Sequence, residues 1–294
     1  MKGADKMANK KLKAPVNIPV EKIHPFEGHP YKVLDNDEMN NLIESIQQKG
    51  VISPIVVRPL ENTTDEYEII SGHRRLRASV KAGLETVPAF IYAVSRDEAA
   101  IMLVDSNLHR EHILPSERAF AYKLKMEAMS RQGYRSDLTS CQVGAKLRTD
   151  EIIAENSTDS ARQIQRYIRL TNLIPELLNL VDEERIAFTP AVELSYLNEV
   201  EQADLVEEIR VCDATPNLSQ AQRLRAISRE EGLTPEHIGE ILSEEKANQR
   251  EKIRIPAERI RKYFPKSYTT EQIEEAIIKI CESRYRARQG RDAR

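Results

Sequence analysis

Residues 66–91, EYEIISGHRRLRASVKAGLETVPAFI, constrain the fold of this chain more than any other stretch. Tyr67, Ile69 and Ile70 alternate as in a strand, Ser71-Gly72 turns the chain, and Leu76, Val80 and Leu84 then recur at helical spacing. Gly83 ends that helix, and the β-branched and aromatic run over residues 87–92 predicts another strand. The helix begins with Arg74, Arg75 and Arg77, where the backbone dipole and free N–H groups already favour negative charge. Three cations there are unfavourable unless something anionic sits among them. A solvated basic face is the plain alternative. A phosphate cradle is preferred, because glycine at position 72 lets a ligand approach the backbone closely.

The surrounding pattern extends this unit into a domain. Residues 16–23 read as a first strand, and residues 36–49 as a helix with Met39, Leu42, Ile43 and Ile46 on one face and Gly50 as its C-cap. Strands at 55–58 and 67–70 flank a polar turn over 61–65, and a helix follows from Arg96 to about Leu108. Interleaved strands and helices predict an α/β (α+β) domain whose site uses two helix termini, at Gly72 and around Asn107. The 294 residues allow two or three modest domains. A net charge of −3 gives no global attraction to nucleic acid, so DNA binding has to come from local basic surfaces. Cys141, Cys212 and Cys281 form no zinc signature and fit a reducing cytoplasm. No apolar run approaches the roughly 20 residues that span a bilayer, and no signal-peptide core follows the first lysines. A soluble, cytoplasmic protein without a membrane partner is expected.

Beyond Pro115 the strands cease. Ser116 is expected to cap a helix from Glu117 to about Arg131, and residues 132–148 form a polar loop. EIIAENSTDSARQIQRYIRL (151–170) then fits a helix-turn-helix. Ala154 is the small residue at the crossing, Ser160 caps the second helix, and Gln163 completes a capping box. Ile164 and Ile168 bury that helix, so Ser160, Arg162, Gln165, Arg166 and Arg169 are the DNA-binding candidates, with Arg and Gln able to read base edges. Thr158 stands at the turn position that usually prefers glycine. Helices are expected at 175–181, at 189–197 with Thr189 as cap and Pro190 at the first helical position, at 219–231, and from Thr234-Pro235 to about Asn248. After a charged linker at 249–252 come a short strand-like segment (252–256) and a helix over 270–288. Ile273, Ile277 and Ile280 make an apolar stripe on that helix that wants a partner, in cis or in a second chain, and an arginine-rich tail follows. His109 and His112 lack further convergent ligands and are read as an exposed polar pair, not a metal site.

Three ordered boxes carry a resemblance. ISGHRRLRA (70–78) resembles the G-E-R-R-x-R-A box of the ParB partition-protein family, NLHREHILPSE (107–117) its E-N-x-Q-R-x-x-L-x-P-x-E, and GVISPIVVRP (50–59) its G-V-x-Q-P-I-x-V-R. The resemblance covers roughly residues 16–230. It implies a ParB/sulfiredoxin-like N-terminal domain (16–112) after a disordered basic tail (1–15), then an all-α helix-turn-helix domain (113–231). A helix and linker (232–251) and a small, mainly helical C-terminal module (252–294) that can dimerise complete the chain. It further implies a CTP pocket formed by Gly72, His73, Arg74, Arg75, Asn107, Arg110 and Glu111, with Asn107 supporting Mg2+. The expected activity is a nucleotide-gated DNA clamp: a homodimer on a centromere-like site, with a ParA-like partition ATPase as partner, associated with nucleoid or plasmid. The alternatives are a regulator of a mobile element using the same helix-turn-helix, and a nucleotide hydrolase or kinase. His73, Ser53 and Ser106 depart from the family's Glu, Gln and Glu. Because the last of these would assist hydrolysis, weak or absent CTP turnover is expected. Sulfiredoxins share the fold with a G-C-H-R site. Gly72 precedes His73-Arg74 here, so the nucleophilic thiol is missing.

Overall fold

The computed structural model describes residues 14–61, 63–108, 110, 113–132, 148–244, 260–265 and 268–292. The expected basic tail lies almost wholly outside the described residues, as do nearly all of the 132–148 loop, the 249–252 linker, the 252–256 strand, and His109, Glu111 and His112. The chain divides into two units, Met1–Glu244 and Glu245–Arg294.

The first unit opens with a mixed five-stranded sheet of order β1-β5-β3-β4-β2, built from β1 (Val16–Pro19), β2 (Ile23–His24), β3 (Ile55–Pro59), β4 (Tyr67–Ser71) and β5 (Thr86–Ile91). The single strand expected at 16–23 is two. β1 pairs antiparallel with β5 at one edge and β2 parallel with β4 at the other, so the 3-10 turn Val20–Lys22 must carry the chain across between them. Helix α1 (Asp37–Lys49) packs on α2 (His73–Lys81), while α2 and α3 (Arg96–Asn107) pack on β3 and β4 of this sheet. α1 starts on an Asn36 cap, whose side chain accepts from Met39 N, and stops at Gly50 with φ 68°. On α2 the expected apolar spacing fails at Val80, which is 54% exposed; Ala78 and Ser79 are the buried positions.

The rest of the unit is helical: α4 (Pro115–Arg131), α5 (Thr149–Glu155), α6 (Ala161–Leu170), α7 (Pro175–Asp182), α8 (Phe188–Leu194), α9 (Glu199–Cys212), α10 (Leu218–Glu230) and α11 (Pro235–Ser243). Two caps differ from expectation. Leu114, not Ser116, precedes α4, and the Ser116 N–H and hydroxyl donate to Asp182 at 3.0 and 2.6 Å. Ala187 is the N-cap of α8, which leaves Thr189 and Pro190 inside the helix. α3 and α4 pack together, and one core runs from Phe26, Tyr31 and Ile70 through Leu103 and Tyr122 to Ile153 and Ile164. A second core, from Leu170 to Leu242, holds the remaining helices.

In the second unit α12 spans Thr270–Asp292. Its Ile273 and Ile277 are half-buried, whereas Ile278 and Ile280 are 51% and 55% exposed.

Candidate functional site

β4 delivers Gly72 in the left-handed region, φ 101° and ψ 25°, as the N-cap of α2. A Cβ at this position would lie 2.9 Å from Ile55 Cγ2 and 3.2 Å from Arg75 Nη2. The turn therefore needs glycine twice over, for its φ and for the space against β3. Gly72→Ala is expected to cost about 1–3 kcal/mol of stability in urea unfolding, from backbone strain alone. A loss under about 0.5 kcal/mol would show that the turn relaxes, since that is the range of an unremarkable surface substitution.

The arginines that follow already have partners within the chain. Arg74 pairs with Glu38 of α1 at 2.9 Å. Arg77 and Lys81 share Asp35 at 2.6 and 2.8 Å, and these cations hold the Asp35 carboxyl well below the usual carboxylate range. Arg75 donates to the carbonyls of Ser53 and Pro54 at 2.5 and 2.7 Å, binding α2 to the segment before β3. All three guanidinium groups are thus fixed around the start of α2, with Arg74 and Arg77 still part-exposed.

His73 lies at the centre of the site. Its ring stacks on His29 at 3.7 Å between centroids, and its buried Nε2 has no hydrogen-bond partner among the described residues. Burial lowers the pKa of His73 to about 3, helped by His29 and Arg110, and lowers that of His29 to about 4. Tyr31 stands edge-on to His29, and the Arg110 guanidinium lies 5.8 Å above the Tyr31 ring. His29 and Tyr31 were not expected here; a His-Pro-Tyr loop 44 positions before His73 (73 − 29) carries no local signal of where it will land. Asn107 is buried and its amide nitrogen donates to Leu103 O at 2.7 Å, leaving the carbonyl oxygen as the end a metal would take. Ser106 turns its hydroxyl back to Leu103 O at 2.9 Å. Asp105 points to α4 and pairs with Lys125 at 2.5 Å. The described residues contain no group of three or more metal-ligating side chains, so Mg2+ would depend on Asn107 and on the phosphates of a bound nucleotide. The groups beside Gly72 that suit a phosphate are the unpartnered His73 Nε2 and the Arg110 guanidinium.

The second site is the helix-turn-helix formed by α5 and α6. Ser160 caps α6 by accepting from Gln163 N, but the Gln163 side chain accepts from Arg166 and so completes no capping box. Thr158 needs no positive φ, since among the described non-glycine residues only Asp65, Glu184 and Asp213 have one. Asp159 accepts from Tyr122 and Arg118 of α4 at 2.7 and 3.3 Å, which anchors the turn. The four outward residues of α6 are not equivalent. Arg162 and Gln165 are exposed. Arg166 is half-buried, 4.9 Å over the Phe188 ring and bonded to Thr189. Arg169 is half-buried as well, 3.9 Å from the centre of Tyr196, whose ring also carries Arg225 at 3.5 Å, and it donates to Ser195 O. Arg166 and Arg169 therefore have structural work that the helical spacing did not reveal.

Comparison with known proteins gives a consistent result. Residues 2–108 match the model of the ParB N-terminal domain. The nucleoid occlusion protein of Listeria innocua is 32% identical over 195 residues, 66% of this chain and 62% of its own length. The chromosome-partitioning protein Spo0J of Thermus thermophilus is 30% identical over 171 residues, 58% of this chain and 56% of its own. The chain thus spans less than two thirds of the length of these curated relatives. Two crystal structures of C-terminally truncated ParB from Caulobacter crescentus, one complexed to the centromeric parS site and one with CTP-gamma-S, have TM-scores of 0.42 and 0.32. Their identities are 22% and 25%, over 72% and 67% of this chain and 98% and 99% of theirs. Likeness of that degree fixes no detail of the present site. Over residues 2–108, then, the chain carries a ParB N-terminal domain.

Proposed function

We propose that the protein binds a specific double-stranded DNA site through α6 and acts in chromosome or plasmid partition, with CTP at the Gly72 site as its gate. The observation that carries this reading is a helix-turn-helix exposing Arg162 and Gln165, in one unit with a ParB N-terminal domain. CTP is supported by the left-handed Gly72 turn at the start of α2, the unpartnered His73 Nε2 and the nearby Arg110, with Mg2+ on Asn107. Slow turnover is supported by Ser106, which can supply no negative charge and is folded back on its own helix. Closure as a clamp, dimerisation through residues 252–288 and a ParA-like ATPase partner belong to the same reading; the half-buried Ile273 and Ile277 supply an apolar face for the dimer. Nucleoid occlusion is the second reading, favoured by the name of the Listeria innocua relative. Among the described residues no helix is long and apolar enough to cross a membrane.

Sequencing the DNA fragments that the protein holds in its own cell tests both, because it shows whether there is a shared site and where its copies lie. On that site Arg162→Ala should cost about 1–3 kcal/mol by fluorescence anisotropy, and much less on random DNA. Equal losses on the two DNAs, or no enriched fragment, would remove sequence reading from α6.

A further inference from the structure

Gln165 is exposed on α6, yet it is not a freely rotating side chain. Its Nε2 donates to Asp150 Oδ2 at 3.0 Å, across the helix-turn-helix from the first turn of α5. The Asp150 side chain is only 5% exposed. The same oxygen pairs with Arg148 Nη2 at 2.9 Å, and Oδ1 accepts from Glu151 N at 3.2 Å. A salt-bridged carboxylate can only accept hydrogen bonds. The end of the Gln165 amide that faces it must therefore be the NH2, and the carbonyl oxygen is turned away from Asp150. What α6 offers at this position is an acceptor in a fixed place, beside one remaining N–H.

In the major groove that orientation is selective. Adenine presents an N6 amino donor beside the N7 acceptor, and cytosine presents an N4 donor alone. Guanine and thymine offer O6 and O4, which cannot donate to a carbonyl oxygen. We propose that Asp150 is a specificity-determining positioning residue, which holds the Gln165 amide so that it selects adenine, and after it cytosine, at one position of the DNA site. Adenine comes first because the second hydrogen of the Gln165 amide nitrogen is left for N7. Anchoring also removes rotamer freedom before DNA arrives, so less is lost on binding. This inference rests on the DNA-reading role of α6.

The experiment measures binding to the cognate site with each base pair varied in turn, for the wild type, Gln165→Ala, Asp150→Asn and Arg148→Ala. The wild type should prefer adenine at one position, and Gln165→Ala should flatten that position alone. Asp150→Asn can donate as well as accept, so it lets the Gln165 amide turn over. Discrimination there should fall by about tenfold, within the range that one bidentate base contact supplies, while binding to random DNA stays within about twofold. Arg148→Ala removes a partner of Asp150 without freeing Gln165, and should keep the preference. Should Asp150→Asn fail to fold, the wild type still decides the matter: the Gln165 side-chain NH2 should show slowed exchange by NMR in the DNA-free protein. A freely exchanging amide, or an Asp150→Asn profile identical to the wild type where Gln165→Ala flattens a position, would overturn the inference and leave DNA reading intact. If Arg148→Ala blurs the position as much as Asp150→Asn does, Asp150 only supports α5 and the inference also fails. If the wild type prefers no site over random DNA, the role of α6 falls and the inference with it.

Discussion

Glu68→Ala is expected to destabilise the protein by about 3–5 kcal/mol, because it strands a buried guanidinium. Arg58 of β3 and Glu68 of β4 are directly opposite in the sheet register, and each is 4% exposed. Arg58 Nε donates to Glu68 Oε2 at 2.7 Å, while Glu68 Oε1 accepts from Glu27 N at 3.2 Å. Glu61 lies 3.5 Å from Arg58 Nη1 and is itself 72% exposed, so it is a poor substitute for the lost carboxylate. Replacing both partners with apolar residues of similar shape, Arg58→Met with Glu68→Leu, should recover much of the loss, since two charges then no longer need to leave water. Urea unfolding of the wild type, the single variant and the double variant separates these cases. A Glu68→Ala protein within about 1 kcal/mol of the wild type would mean that water or Glu61 reaches Arg58 readily, as at exposed ion pairs.

Acidification from pH 6.5 to 5 should also destabilise the fold, through the stacked pair His29 and His73. Their pKa values, about 4 and about 3, lie below the ordinary 6.5 because burial disfavours the imidazolium, with Arg110 and, for His73, the neighbouring His29 adding repulsion. Tyr31 is the other group against His29, and it stays neutral throughout this range because burial raises its pKa. Both histidines remain neutral in the folded protein as the pH falls through 6.5, whereas the unfolded chain takes up their protons. The stability is therefore fully present above pH 6.5 and is lost on the way down to the folded values. The slope is at most about 1.4 kcal/mol per pH unit for each ring, or roughly 4 kcal/mol for the pair by pH 5. His73→Phe keeps a flat ring against His29 but cannot titrate, and should remove about half of that slope. A doubly substituted His29→Phe/His73→Phe protein with the wild-type pH profile would show that the acid sensitivity arises elsewhere.

What the sequence disclosed was whatever is settled within a few residues. Gly72, Gly50, the Asn36 start of α1 and the Ser160 cap follow from local backbone requirements, and the two helices of the helix-turn-helix follow from a short apolar period. The parts that were hidden depend on distant residues. The anions opposite Arg74 and Arg77 are Glu38 and Asp35, separated from them by 36 and 42 positions. Helix α9 escaped notice because polar residues occupy part of its inner face. Glu201 and Gln202 are 5% and 1% exposed, and their hydrogen bonds run to Leu233, Ser228, Asn172 and Ile174. No periodicity of apolar residues can show a buried glutamine whose partners lie on other elements. The same holds for Arg169, whose tyrosine platform is 27 residues away (196 − 169).

The core that joins Phe26, Tyr31 and Ile70 to Ile153 and Ile164 has a consequence for how this protein is built and lost. Its two halves are not modules on a tether. Cutting the chain between residues 112 and 113 would bare the shared face of α3, with Ala100, Leu103 and Val104, which now packs in one cluster with Ala121, Tyr122 and Met129 of α4. Neither piece would keep its own apolar surface out of water. Melting should accordingly be cooperative across the sheet-bearing and helical halves, and a destabilising change near Gly72 should be felt at α6 as a lowered population of the whole unit. Inheritance of one half without the other would require a new cover for that face.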